Sequence, residues 1–69
     1  MASKKLGELI RELRESKGLS QQALADRASI TLSYIAILEA GQQGAPPRAI
    51  LQRIARALSV PVEKLEEPQ

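Results

Sequence analysis

Hydroxyl, amide and guanidinium groups carry most of the chemistry open to this chain, because its 69 residues include no cysteine and no histidine. That absence removes thiolate nucleophiles, disulfides, imidazole acid–base work and the usual zinc ligands together. Eight carboxylates remain, but Glu8, Glu12 and Glu15 recur at helical spacing as a solvated face, and Asp26 stands apart. A general acid and base must converge on one point, and this pattern offers no such pair. No enzyme, metal or cofactor is expected. What the polar residues can do is hold an anion. Ser20 and Gln21 open an apolar-periodic segment, where a helix start joins side-chain donors to free backbone N–H groups and the positive end of the helix dipole, a combination suited to phosphate. The alternative is that Ser20 merely caps the helix and Gln21 meets solvent.

Those residues need helices to hold them. From Ser3 to Lys17, Leu6, Leu9, Ile10 and Leu13 repeat at three-and-four spacing along one face, and Gly18 stops the segment. Ser20 caps a short helix over residues 21–28 that turns Leu24, Ala25 and Ala28 inward. Thr31 caps the next, over residues 32–40, which buries Ile35 and Leu38 before Gly41 ends it. Residues 42–47 read as a polar Gly/Pro loop, with Pro47 placed to open a fourth helix to about Leu58, its missing N–H being unpaired there in any case. A last turn or two from Pro61 to Glu66 seats Val62 and Leu65. The chain therefore reads as one all-α domain over residues 1–69, a compact bundle of five short helices, with 1–3 and 67–69 expected to fray. Tyr34 is the single aromatic residue, so the core is built from Leu, Ile, Val and Ala. No apolar run approaches membrane length, which suggests a soluble, cytoplasmic protein. A net charge of +2 and a pI near 9.4 suit a nucleic-acid partner without singling one out.

The run LSQQALADRASITLSYIAILEAG, Leu19 to Gly41, resembles the helix-turn-helix of the Cro/repressor (XRE) family. The likeness rests on Leu19-Ser20-Gln21, Leu24-Ala25, Ala28, Ile30, Ser33-Tyr34-Ile35, Leu38-Glu39 and Gly41, then Ile54-Ala55 through Leu58, with Val60 and Leu65. It implies a lambda-repressor-like fold and a double-stranded DNA partner, in a transcription regulator that is bacterial or phage-encoded and associated with the nucleoid. Gln21 would clamp the DNA backbone beside Ser20. Thr31, Leu32, Ser33 and Ile37 would face the major groove, Tyr34 would lie beside the backbone, and Gln42, Gln43 and Arg48 would lie near phosphates. The resemblance also pairs Arg14 with Glu39 as an inward ion pair, and puts Ser29 and Ser59 where the family has Gly at positive backbone dihedrals.

The chain departs from the family at its reading positions. Leu32, Ala36, Ile37 and Ala40 stand where Arg, Gln, Lys or Asn give bidentate base contacts, so direct readout reduces to thymine methyl groups plus Thr31 and Ser33. Few cations, namely Arg48, Lys17 and the lysines Lys4 and Lys5, remain to neutralise phosphate, which implies a shallow salt dependence for one subunit. A homodimer on a pseudo-palindromic operator follows as the expected active form, with Leu9, Ile50, Val62 or the Pro46-Pro47 corner as its apolar contact. The competing reading treats Leu32, Ala36, Ile37 and Ala40 as a protein-binding face, as in an antitoxin, an anti-repressor or an assembly subunit. No small-molecule ligand is indicated.

Overall fold

Ser20 and Thr31 set the helix starts that matter most. The computed structural model describes residues 2–42 and 46–66, and among them five helices follow in order: α1 (Ala2–Ser16), α2 (Gln21–Ala28), α3 (Leu32–Glu39), α4 (Arg48–Ala57) and α5 (Val62–Glu66). The Ser20 hydroxyl oxygen accepts the Ala23 N–H at 3.0 Å, and the Thr31 hydroxyl oxygen accepts the Tyr34 N–H at 3.1 Å. Each side chain thereby satisfies one of the backbone donors that a helix start leaves free. Pro47 has an extended backbone, with φ −57° and ψ 151°. It therefore precedes the fourth helix rather than forming its first residue. α1 takes in Ala2 and Ser3, where fraying is expected, since no Pro or Gly stands ahead of Gly7 to stop it. Met1 and residues 43–45 and 67–69 lie outside the described residues.

The four longer helices end alike. Gly18, Ser29, Gly41 and Ser59 all take positive φ, at 71°, 58°, 75° and 60°. After each, the next backbone N–H reaches back five residues to a carbonyl: Leu19 to Arg14 at 3.0 Å, Ile30 to Ala25 at 2.9 Å, Gln42 to Ile37 at 3.2 Å and Val60 to Ala55 at 2.9 Å. This is the Schellman closure, which satisfies carbonyls left over at a helix end. Glycine enters it freely, whereas serine does so at a cost in backbone energy.

The core joins Leu6 and Ile10 of α1, Leu24, Ala25 and Ala28 of α2, Ile35 and Leu38 of α3, and Leu51, Ile54 and Ala55 of α4, closed by Leu58 and Leu65. Burying each Leu or Ile contributes about 1.5–3 kcal/mol, and the small Ala25 and Ala28 let α2 lie close to α3 and α4. Leu9, Ile50 and Val62 are half-buried against this core and Pro46 is buried. They are thus not the exposed apolar set expected for subunit contact; Pro47 alone of that set is exposed. Among the described residues no helix is long and apolar enough to cross a membrane.

Candidate nucleic-acid interface

α3 is clamped from beneath and bare above. Ile35 and Leu38 are fully buried, and at 100° per residue this leaves Ser33, Ile37 and Ala40 along the outer crest. Leu32 and Ala36 fall on one flank and Tyr34 on the other. Thr31, Leu32, Ser33, Ile37 and Ala40 are exposed, while Ala36 and Tyr34 are half-buried. Leu32 and Ile37 keep 41% and 40% of their surface and are the large apolar side chains left exposed among the described residues.

On the first flank, the start of α2 is joined to α3 by a buried polar network. Arg14 donates from Nε to Glu39 Oε2 at 2.7 Å and from Nη2 to Oε1 at 3.0 Å. Its Nη1 donates to the Leu19 carbonyl oxygen at 2.6 Å. The side chains are 10% and 4% exposed, and a two-point guanidinium–carboxylate contact of this kind is both strong and directional. Glu39's hydrogen bonds hold the Arg14 guanidinium above its ordinary pKa, against the opposing pull of burial. Gln21 is the third member, donating from Nε2 to Glu39 Oε1 at 3.0 Å. Its amide is therefore held rather than free, half-buried beside the exposed Ser20, with one N–H and the amide oxygen still available. Sequence spacing alone gives no sign of this bond, since Gln21 and Glu39 meet only once α2 and α3 are packed. An open groove of about 310 Å³ runs along this flank, lined by Arg11, Gln21, Ala36, Glu39 and Ala40 among others.

The cations are placed differently from the sequence expectation. Arg48 opens α4 and is exposed, but its Nε lies 2.9 Å from Glu66 Oε2, so part of its charge is met within the molecule. Lys17 is exposed just beyond α1, and Gln42 is exposed just after Gly41. Gln43 lies outside the described residues, as do the side chains of Lys4 and Lys5. The residues gathered around α3 are thus Ser20, Gln21, Thr31, Leu32, Ser33, Tyr34 and Ile37, with Gln42 at its far end. Arg53 also borders α3, across a groove from Thr31 and Tyr34.

Comparison with known proteins gives one family. A family model described as a helix-turn-helix domain matches residues 5–67. The transcriptional repressor RghR of Bacillus subtilis is 36% identical over 59 residues, covering 86% of this chain and 44% of that protein. The chain spans about half the length of the curated relatives it matches first. Among solved structures, the restriction-modification controller protein C.AhdI from Aeromonas hydrophila superposes with a TM-score of 0.85 at 35% identity, over 91% of this chain and 94% of that one. The biofilm master regulator SinR, solved in complex with DNA, gives a TM-score of 0.86 at 31% identity, over 90% of this chain and 98% of that one.

Proposed function

Because the chain belongs to the Cro/repressor type of helix-turn-helix domain, we propose that it binds double-stranded DNA as a transcriptional repressor, with α3 set into the major groove. The observation that carries this reading is the exposed crest of α3 on a buried Ile35–Leu38 footing. A helix enters the groove only when a rigid partner holds it proud of the surface, and α2 does so here through shared core and the Arg14–Glu39–Gln21 network. Ser20 and the start of α2 supply backbone-phosphate donors, with the N–H group that Gln21 keeps beyond Glu39 adding a further one. Leu32 and Ile37 meet thymine methyl groups, and Ser33 and Thr31 supply the polar base contacts. The protein acts in the bacterial cytoplasm, as a homodimer and without a catalytic step.

Fluorescence anisotropy with random and A·T-rich duplexes at two salt concentrations tests this directly. Tighter binding to the A·T-rich duplex is expected, with loss of binding on Gln21→Ala plus Ser33→Ala in a protein whose helical content is unchanged. Binding that survives the double substitution removes α3 and the α2 start as the contact surface.

The exposure of Leu32 and Ile37 on one helix favours a second use of the same face, in docking a protein partner. Ile37→Glu would abolish such an association without unfolding the domain; an unaltered association discards this use.

A further inference from the structure

We propose that Arg53 is a DNA-backbone contact on the flank of α3 opposite Gln21, an inference that rests on the DNA-binding reading above. Arg53 is exposed and makes no ion pair among the described residues. Its Nη1 donates a long hydrogen bond to the Ser29 carbonyl oxygen at 3.5 Å. That contact tethers the guanidinium at the turn between α2 and α3 and leaves most of its five donors unspent. From this position it lines an open groove of about 710 Å³ with Thr31, Tyr34, Pro47 and Ile50. Thr31 and Tyr34 belong to the surface assigned to DNA, so a strand running along this side of α3 passes between them and Arg53.

Charge matching singles out this residue. On the Gln21 flank, Arg11 is paired with Glu15 at 3.2 Å and Arg14 with Glu39 at 2.7 Å. Arg48 is paired with Glu66 at 2.9 Å. Among the described residues Arg27 and Arg56 are also without a carboxylate partner, but they stand in the last turns of α2 and α4, where the helix dipole already favours a cation. Arg53 lies further back in α4, outside that last turn. A duplex carries one negative charge per roughly 1.7 Å of axis, and Arg53 lines the groove beside Thr31 and Tyr34 with a charge that no carboxylate among the described residues meets.

The test is anisotropy of the full chain with a random-sequence duplex over a salt series, since a phosphate contact is independent of sequence. Arg53→Gln is expected to flatten the slope of log affinity against log salt by about 0.9 per chain, equivalent to about eight-fold weaker binding at about 0.1 M salt. Arg53→Lys should keep the slope, whereas Arg56→Gln, the same charge lost one turn further along α4, should weaken binding less than about two-fold. A wild-type slope in Arg53→Gln, or an equal change in Arg56→Gln, overturns the assignment while leaving DNA binding standing. A native protein that binds no duplex at all overturns the DNA-binding reading itself.

Discussion

Glu39 accepts three hydrogen bonds in a site that is almost closed to water, so what matters energetically is what its loss would strand. Glu39→Ala leaves the Arg14 guanidinium buried with the Leu19 carbonyl and the more distant Glu15 carboxylate, 3.8 Å away and largely exposed, as its remaining partners. The expected cost is about 3 kcal/mol, in the range for breaking a buried pair by removing one member. Urea unfolding measures it, and a loss below about 0.5 kcal/mol would class the pair with solvated surface bridges. The pH dependence has a definite sign. A cation whose pKa rises on folding contributes stability that is complete below its unfolded value and is lost as pH climbs through the folded one. Arg14 is already an arginine and is raised further, so its contribution persists through moderate alkali. Ser29 presents the opposite case, a cost retained in the native state: at φ 58° its Cβ crowds the backbone by about 1–2 kcal/mol. Ser29→Gly relieves that strain but adds about 0.4–1 kcal/mol of unfolded-chain freedom. A net stabilisation near 0.5 kcal/mol, seen as a higher urea midpoint, is expected, and a lower midpoint would mean that the serine side chain is itself stabilising.

At the scale of elements, Gly7 governs how α1 meets α3. A Cβ at this position would overlap the Leu38 carbonyl oxygen and come within 2.9 Å of the Glu39 carbonyl oxygen. Both obstacles are backbone, which cannot swing aside as a flexible side chain would. Gly7→Ala should therefore destabilise the domain by about 2 kcal/mol, as overpacking does, although alanine is the better helix former; a stabilised variant in a thermal melt would refute the close approach. An isolated glycine within a helical pattern, as Gly7 is, is the mark that such an approach leaves in a sequence. The local features were legible because local chemistry makes them. Ser20 and Thr31 are capping residues wherever they precede an apolar period, and Gly18 and Gly41 are ordinary helix stops. The features that escaped the sequence depend on elements meeting in space. Arg48 finds Glu66 because α5 returns to the start of α4, and Gln21 finds Glu39 because α2 crosses the end of α3. Ile50 loses exposure because it settles against a core that pattern alone does not outline, whereas Leu9 and Val62 do so on the apolar faces that the pattern already gave them.

The molecule as a whole measures 26 × 23 × 22 Å, and that size constrains how two copies can share an operator. Successive major grooves on one face of a duplex recur every 34–36 Å or so. Copies in contact have centres about 22–26 Å apart, by their own extents. Each α3 must then lie about 5 Å outward of its copy's centre to meet that spacing, which turns the contact surface away from the reading crest. A single copy, with a largely apolar crest and few unmet cations nearby, would gain little from phosphate neutralisation, so on the DNA-binding reading proposed above pairing would supply most of the affinity. Two measurements follow from this geometry. Sedimentation of the free protein should show a monomer–dimer equilibrium, and titration onto a two-half-site duplex should be steeper than a single-site curve. Moving the half-sites apart by about five base pairs, half a helical turn, puts the second groove on the opposite face of the duplex and should return the curve to single-site form. Equal affinity for one half-site and for two, at either spacing, would mean that one copy suffices and that the small reading surface binds more strongly than its chemistry accounts for.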